Sequence, residues 1–213
     1  MRKYKVANCA RFVRAWRAAH GGSVRRHYAE LVQHYERAPR RYHTLAHVED
    51  MLSMLDRLPP RSVDDRAALE LAIWYHDVVY VPRRSDNERR SAQLFVRHAA
   101  TARIPRRTLR RVVALILMTA RHEPQPHDTD AAVLSDLDCA VLGAPWPVFM
   151  RYEAGIRHES RRGMTLSLGA YRAGRHAFLF SLFRRRVLFH TEYFARVYHD
   201  QARSNLARLS HEL

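Results

Sequence analysis

The amino-acid sequence predicts an all-α fold, and three observations support this prediction. Apolar residues recur with helical spacing in nearly every segment, whereas few segments alternate apolar and polar residues as strands do. Seven glycines in 213 residues are few for a sheet protein with many turns. Prolines, glycines and capping residues divide the apolar segments at intervals typical of helices. We therefore expect a bundle of about ten helices in a single domain that spans residues 1–213.

The predicted helices are bounded by residues that favour a start or a stop. Gly21-Gly22 ends the first helix, and Pro59-Pro60 ends the third. The polar segment RHEPQPHD separates the sixth helix from the seventh, which Gly143 ends. In order, the helices are predicted at about residues 7–19, 24–37, 45–57, 64–80, 87–101, 105–120, 130–143, 145–160, 165–184 and 187–210.

The chain is strongly basic, with 37 lysines and arginines against 21 acidic residues and a net charge of +16. Of these 37 residues, 35 are arginines, and they are scattered through nearly every segment. The sequence contains neither a known nucleic-acid motif nor a basic strand with interleaved aromatic residues. The charge therefore favours attraction of a small phosphorylated substrate, with nucleic acid as a less favoured partner.

Cysteine usage and hydropathy indicate a cytoplasmic protein. Cys9 and Cys139 do not have metal-type spacing and are typical of buried thiols in a reducing compartment. No stretch approaches the roughly 18 uninterrupted apolar residues of a membrane span, and the basic start lacks the apolar core of a secretion signal. We expect no membrane partner, and the sequence leaves the oligomeric state open.

The stretch LAIWYHDVVY places His76 and Asp77 side by side in an apolar segment. His-Asp occurs three times in this chain, but the pairs at 127–128 and 199–200 have polar surroundings. A helix that is apolar on every side is buried, and a buried carboxylate is costly unless it is paired, hydrogen-bonded or bound to a cation. The pair is therefore either a hydrogen-bonded core pair or part of a cation site.

Further imidazole and carboxylate side chains lie on two other predicted helices. His43 and His47 are four residues apart, and His47 is nearer the apolar stripe of the third helix. Asp136 and Asp138 flank the apolar stripe of the seventh helix on opposite sides, so at most one of them faces a common centre. Such a set of ligands suits Mn, Fe, Co, Ni or Zn, or else Mg, and leaves positions for water and substrate, as catalysis requires.

Six stretches in order resemble the HD superfamily of metal-dependent phosphohydrolases, in particular a small bacterial branch of predicted metal-dependent HD phosphohydrolases. They are RYHTLAHVEDML, LAIWYHDVVY, DNERRSA, TARH, LSDLDCAVLG and YRAGRHAFLFSLFRRRVLF, and they span roughly residues 40–190. The resemblance implies a helical bundle around a metal site, with its core at about residues 40–145 and the C-terminal helices, 146–213, packed on it. It also implies hydrolysis of a small phosphate ester, such as a nucleotide, by a metal-activated water.

By position, the resemblance implies that His47, His76 and Asp77 bind the metal together with Asp138 or Asp136. Asp138 is slightly favoured because it follows an apolar residue, as the family's aspartate often does. Asp136 would then support the site or the start of a helix. Some relatives hold two metal ions, and His122 lies where a ligand of the second ion could fall. We therefore expect one or two divalent ions.

Three more residues have candidate roles. His43 is a candidate for proton transfer or a phosphate contact, or else a cap at a helix start. Glu88 could orient water, although a glutamate in a first helical turn is also favoured by the helix dipole. Arg175 could pair with phosphate through its forked guanidinium. Two alternative functions are a di-iron oxygenase of the same fold, which would require His122, and a non-catalytic nucleic-acid-binding helical protein.

Overall fold

Helices make up most of the chain in the computed structural model, which describes residues 2–22, 24–37, 39–161 and 167–212. Within these residues there are ten α-helices and no strand, so the predicted all-α class is confirmed. The helices are Arg2–Ala18 (α1), Arg25–Tyr35 (α2), Leu45–Arg57 (α3), Arg66–Tyr75 (α4), Asn87–Thr101 (α5), Arg106–Met118 (α6), Thr129–Cys139 (α7), Trp146–Arg161 (α8), Leu168–Phe183 (α9) and Glu192–Glu212 (α10). Short 3₁₀ turns follow α3 and α7, at Pro60–Ser62 and Ala140–Gly143. The predicted start of the ninth helix, at residues 165–166, lies outside the described residues.

The chain divides into two compact units. The first comprises Met1–Ala38 and His43–Leu134, and the second comprises Pro39–Tyr42 and Ser135–Leu213, so the boundary falls inside α7. No single helix of the described residues has both the length and the apolar composition needed to cross a membrane. Thr129–Gly143 and Trp146–Arg161 meet the requirements of length and composition only when taken together, and this pair is bent by 105°.

The central helix of the first unit is α4. All of its residues from Leu71 to Tyr75 are buried, as the continuous apolar run predicted. Phe12 of α1 packs edge-to-face on Trp74, with ring centroids 5.6 Å apart. The helix also packs against α3, α5 and α6. Asp65 caps its start by accepting a hydrogen bond of 2.9 Å from a backbone N–H of the first turn.

A charged network joins the start of α7 to α6 and α4 in the first unit. Arg111 of α6 donates two hydrogen bonds to Asp128, at 2.7 and 2.6 Å, and one to Asp130 at 2.9 Å. Asp130 also accepts bonds from the backbone N–H groups of Asp64 and Asp65. Hydrogen bonds from Arg111 hold the pKa of the Asp128 carboxyl below its usual value. The helix that carries the two candidate aspartates is therefore anchored at its start.

The second unit contains a close approach between the 3₁₀ turn after α7 and α10. A Cβ added to Gly143 would overlap the backbone of Tyr198, at 2.9 Å from its Cα and closer to its carbonyl oxygen. Nδ2 of Asn205 donates to the carbonyl oxygens of Leu142 and Ala144, at 2.8 Å each. Glycine is required at this turn because it lets the two backbones meet.

Candidate metal centre

His76 lies at the end of α4, where the structure departs from the predicted helix. The sequence predicts a helix to about residue 80, but α4 ends at Tyr75 and His76 is its C-cap residue. Nδ1 of His76 lies 2.9 Å from the backbone carbonyl oxygen of Ile73. A carbonyl oxygen can only accept a hydrogen bond, so Nδ1 carries a proton, and in the neutral ring Nε2 has the lone pair that binds a metal.

The carboxylate of Asp77 lies against this nitrogen. Its Oδ2 is 3.1 Å from Nε2 of His76 and 3.9 Å from Nε2 of His43. A lone pair and a carboxylate oxygen at 3.1 Å repel each other unless a proton or a cation lies between them. Burial raises the pKa of the Asp77 carboxyl, but positive charge on the imidazoles of His76 and His43, when these rings are protonated, outweighs burial and holds this pKa well below its usual range. The group is therefore a charged carboxylate in a position that suits a cation.

His47 faces His76 from the first turn of α3. It is buried, and its ring centroid lies 5.4 Å from that of His76 with the rings inclined by 66°. A ring nitrogen of His47 lies within 4.8 Å of one of His76. Two nitrogens that each bind one ion at about 2.1 Å lie at most about 4.2 Å apart, so this upper bound is compatible with a shared ion. The structure thus brings together three of the predicted ligands, His47, His76 and Asp77.

His43 lies just before α3 and stacks on Tyr80. The two ring centroids are 3.8 Å apart, and the rings are 26° from parallel. The stack places Nε2 of His43 at 3.9 Å from Oδ2 of Asp77, at the edge of the histidine cluster. This position suits the proton transfer or phosphate contact predicted for His43. The sequence contained no sign of the stack, because Tyr80 was one of several aromatic residues in an apolar segment.

Two side chains of α5 hold the loop that follows the His-Asp pair. Oγ of Ser91 accepts a hydrogen bond from the N–H of Val79 at 3.0 Å and donates one to its carbonyl oxygen at 3.2 Å. Oδ1 of Asn87 accepts from the N–H of Val81 at 2.9 Å, and its Nδ2 donates to that residue's carbonyl oxygen at 3.0 Å. Apolar periodicity placed Asn87 and Ser91 in the fifth helix but did not indicate these loop contacts. Small polar residues on the buried face of a helix were the available signal.

Glu88 and His122 also belong to the first unit. Glu88 is half-buried in the first turn of α5, as predicted for the start of a helix. His122 is half-buried in the turn that ends α6, and its N–H donates to the carbonyl oxygen of Met118 at 3.0 Å. Its φ of 52° is uncommon for a residue other than glycine and fixes a tight turn. The roles predicted for both residues remain predictions.

The two candidate aspartates of α7 belong to the second unit and have different surroundings. Asp136 is completely buried and accepts three hydrogen bonds: from the N–H of His190 at 2.7 Å, and from the N–H and hydroxyl of Thr191 at 2.8 and 2.7 Å. Burial raises the pKa of its carboxyl in spite of these bonds. Asp136 therefore holds the segment before α10, and the role predicted for it beside the metal stays a prediction. Asp138 is half-buried and remains the favoured fourth ligand.

Arg175 of α9 forms a buried ion pair within the second unit. Nε of Arg175 donates to Glu153 at 3.0 Å, and one guanidinium NH₂ group donates both to Glu153 and to the hydroxyl of Tyr152. The guanidinium and the carboxylate are each about nine-tenths buried. The fork that the sequence assigned to a phosphate is thus used by Glu153, which the sequence pattern did not indicate as a partner.

Two imidazoles and one carboxylate form a donor set that fits a first-row divalent ion. The second ring nitrogen of His76 is bound to a backbone carbonyl, as is common for histidines that ligate metals. Comparison of the chain with models of protein families, with curated proteins and with solved structures found no match. The candidate metal centre therefore rests on the geometry of the histidine cluster, and membership of the HD superfamily remains a prediction.

Proposed function

We propose that the protein is a metal-dependent phosphohydrolase of the HD type that cleaves a small phosphate ester. The single observation that supports this most strongly is the position of His76, with Nδ1 on a backbone carbonyl and Nε2 3.1 Å from Oδ2 of Asp77. His47 adds the second imidazole, and Asp138 is the fourth ligand taken from the sequence prediction. One or two ions of Mn, Fe, Co, Ni, Zn or Mg would occupy this donor set.

The chain's own residues have distinct tasks in such a reaction. A divalent cation, when bound, lowers the pKa of a water ligand and polarises a phosphoryl oxygen. His43, held by its stack on Tyr80, gives or takes a proton at Nε2. Ser91 and Asn87 keep the loop after Asp77 in one conformation, so that the carboxylate is positioned before substrate arrives. The net charge of +16 attracts the anionic substrate.

The test is a screen of nucleotides and simple phosphomonoesters for phosphate release, with Mn²⁺, with Mg²⁺ and with chelator. We expect release that requires metal and is lost in Asp77→Asn. In His43→Gln we expect a rate about 100-fold lower with metal still bound, since a proton-transfer group and not a ligand is removed. Asp200→Asn is a matched control, because Asp200 is the exposed member of another His-Asp pair.

Three results would contradict the proposal. They are no hydrolysis of any ester by metal-loaded wild type, hydrolysis that is unchanged by chelator, and an Asp77→Asn variant as active as Asp200→Asn.

A further inference from the structure

The solvent face of α9 and the turn after it expose large apolar side chains. Phe178, Phe180 and Phe183 have exposed fractions of 47, 46 and 39%, and Val187 has 48%. Phe180 and Phe183 are three residues apart and adjacent on the helix surface, whereas Phe178 lies on the opposite flank. We call Phe180 and Phe183 the Phe patch; two neighbouring exposed phenylalanines indicate a surface that binds something.

The rest of α9 has a buried apolar face and an outward stripe of small residues. Leu179 and Leu182 are buried in the second unit, as expected for an inward face. On the outward face, Ala173, Gly174 and Ala177 are exposed, and a Cβ added to Gly174 would meet nothing within 4 Å. Ala173, Ala177 and Phe180 follow one line along the helix, with the exposed polar residues Arg172 and His176 beside it. This narrow apolar stripe with a polar border is suited to the boundary between an apolar and a polar environment.

Positive charge borders this apolar face. From Ser160 to Thr191 the sequence has seven arginines and no aspartate or glutamate, and of these seven Arg175 is buried in its ion pair with Glu153. Arg184 and Arg186 are exposed at the end of α9, and the guanidinium of Arg184 lies 5.9 Å from the ring centroid of Phe180. The partner that complements this surface is thus apolar at its centre and anionic at its edge.

We propose that the Phe patch and its arginines bind the surface of an anionic lipid bilayer. Phenylalanine side chains enter the boundary between headgroups and acyl chains, and arginines pair with lipid phosphates, as in helices that lie in a membrane interface. At 1.5 Å per residue the 16 residues of α9 present about 24 Å of helix to the bilayer. The sequence predicts no membrane partner because it has neither a spanning segment nor a secretion signal, and a surface contact requires neither.

Charge and chemistry disfavour the other occupants. A second copy of the chain would bring the exposed cations Arg184 and Arg186 of both copies toward each other. Nucleic acid is bound through donors placed along a phosphate backbone, whereas the outward face of α9 carries alanine, glycine and phenylalanine between its arginines.

Sedimentation of the full chain with vesicles tests the proposal. We expect the protein to pellet with vesicles of 70% phosphatidylcholine and 30% phosphatidylserine and to stay in solution with pure phosphatidylcholine. Phe180→Ser/Phe183→Ser should lower the partition coefficient about tenfold or more, and Arg184→Gln/Arg186→Gln by roughly tenfold. Val96→Ser is the matched control: Val96 is an exposed valine on α5, 39% accessible, and its loss should change nothing.

The variants change exposed side chains, so their circular dichroism and melting temperature should equal those of wild type. The proposal is overturned if wild type fails to pellet with the phosphatidylserine vesicles, or if Phe180→Ser/Phe183→Ser pellets as wild type does. It is also overturned if Val96→Ser weakens pelleting as much as the double phenylalanine variant. A wild-type dimer in solution that the double phenylalanine variant converts to monomer, with no vesicle binding, would assign the Phe patch to a second copy.

Discussion

Ser91→Ala tests the loop contacts that position Asp77. Ser91 is completely buried, and its hydroxyl is bonded to both backbone groups of Val79, at 3.0 and 3.2 Å. Alanine leaves the N–H and carbonyl of Val79 without these partners, which costs about 1–3 kcal/mol. At about 2 kcal/mol the melting temperature of a chain of this size falls by roughly 4–8 °C. Thermal unfolding followed by circular dichroism measures the change.

The loop contacts also predict weaker metal binding. Val79 is two residues from Asp77, so a looser loop should raise the Kd for Mn²⁺ by about 10–100-fold, as loss of a residue that supports metal ligands typically does. The matched control is Ser181→Ala, because Ser181 is exposed and donates only to the carbonyl oxygen of Phe178 in its own helix. A Ser91→Ala variant whose free energy of unfolding lies within about 0.5 kcal/mol of that of the control would refute the reasoning.

Two further predictions concern stability. Gly143→Ala forces a Cβ into the backbone of Tyr198 and should lower the free energy of unfolding by about 3 kcal/mol or more in urea titrations. Gly174→Ala lies in a helix interior where the new Cβ meets nothing within 4 Å, so it should raise the free energy of unfolding by about 0.5–1 kcal/mol. Equal effects of the two glycine variants would contradict the close approach of Gly143 to Tyr198. Arg111 lowers the folded-state pKa of Asp128. This carboxylate therefore stabilises the fold at pH values above its unfolded-state pKa of about 3.9. The stabilisation is lost as pH falls through the lower folded-state pKa. Asp128→Asn should therefore lower stability at pH 7 by about 1 kcal/mol and by progressively less below about pH 3.9, whereas a deficit independent of pH would oppose the assignment.

Local patterns predicted the helices well where helix ends are determined by nearby residues. The fifth helix was predicted at residues 87–101 and is observed at Asn87–Thr101. The fourth was predicted to about residue 80 and ends at Tyr75. Its last predicted turn is instead a loop, whose backbone bonds to Ser91 and Asn87. Those partners are twelve and six residues farther along the chain and lie on α5, so apolar periodicity could not indicate them.

The residues of the candidate site were likewise predictable only where the signal in the sequence is local. Burial of a charged pair in an apolar run identified His76-Asp77, and the histidine spacing identified His47, because both signals are local. The sequence could not decide that Asp136 bonds to Thr191 or that Arg175 is bound by Glu153.

The central claim is that His47, His76 and Asp77 hold a divalent cation. Anomalous diffraction from crystals grown with Mn²⁺ tests it most directly. We expect one strong peak about 2.0–2.3 Å from Nε2 of His76 and from a carboxylate oxygen of Asp77, and no such peak in Asp77→Asn. Absence of a peak in wild type, or a peak that lies elsewhere and survives in Asp77→Asn, would contradict the claim.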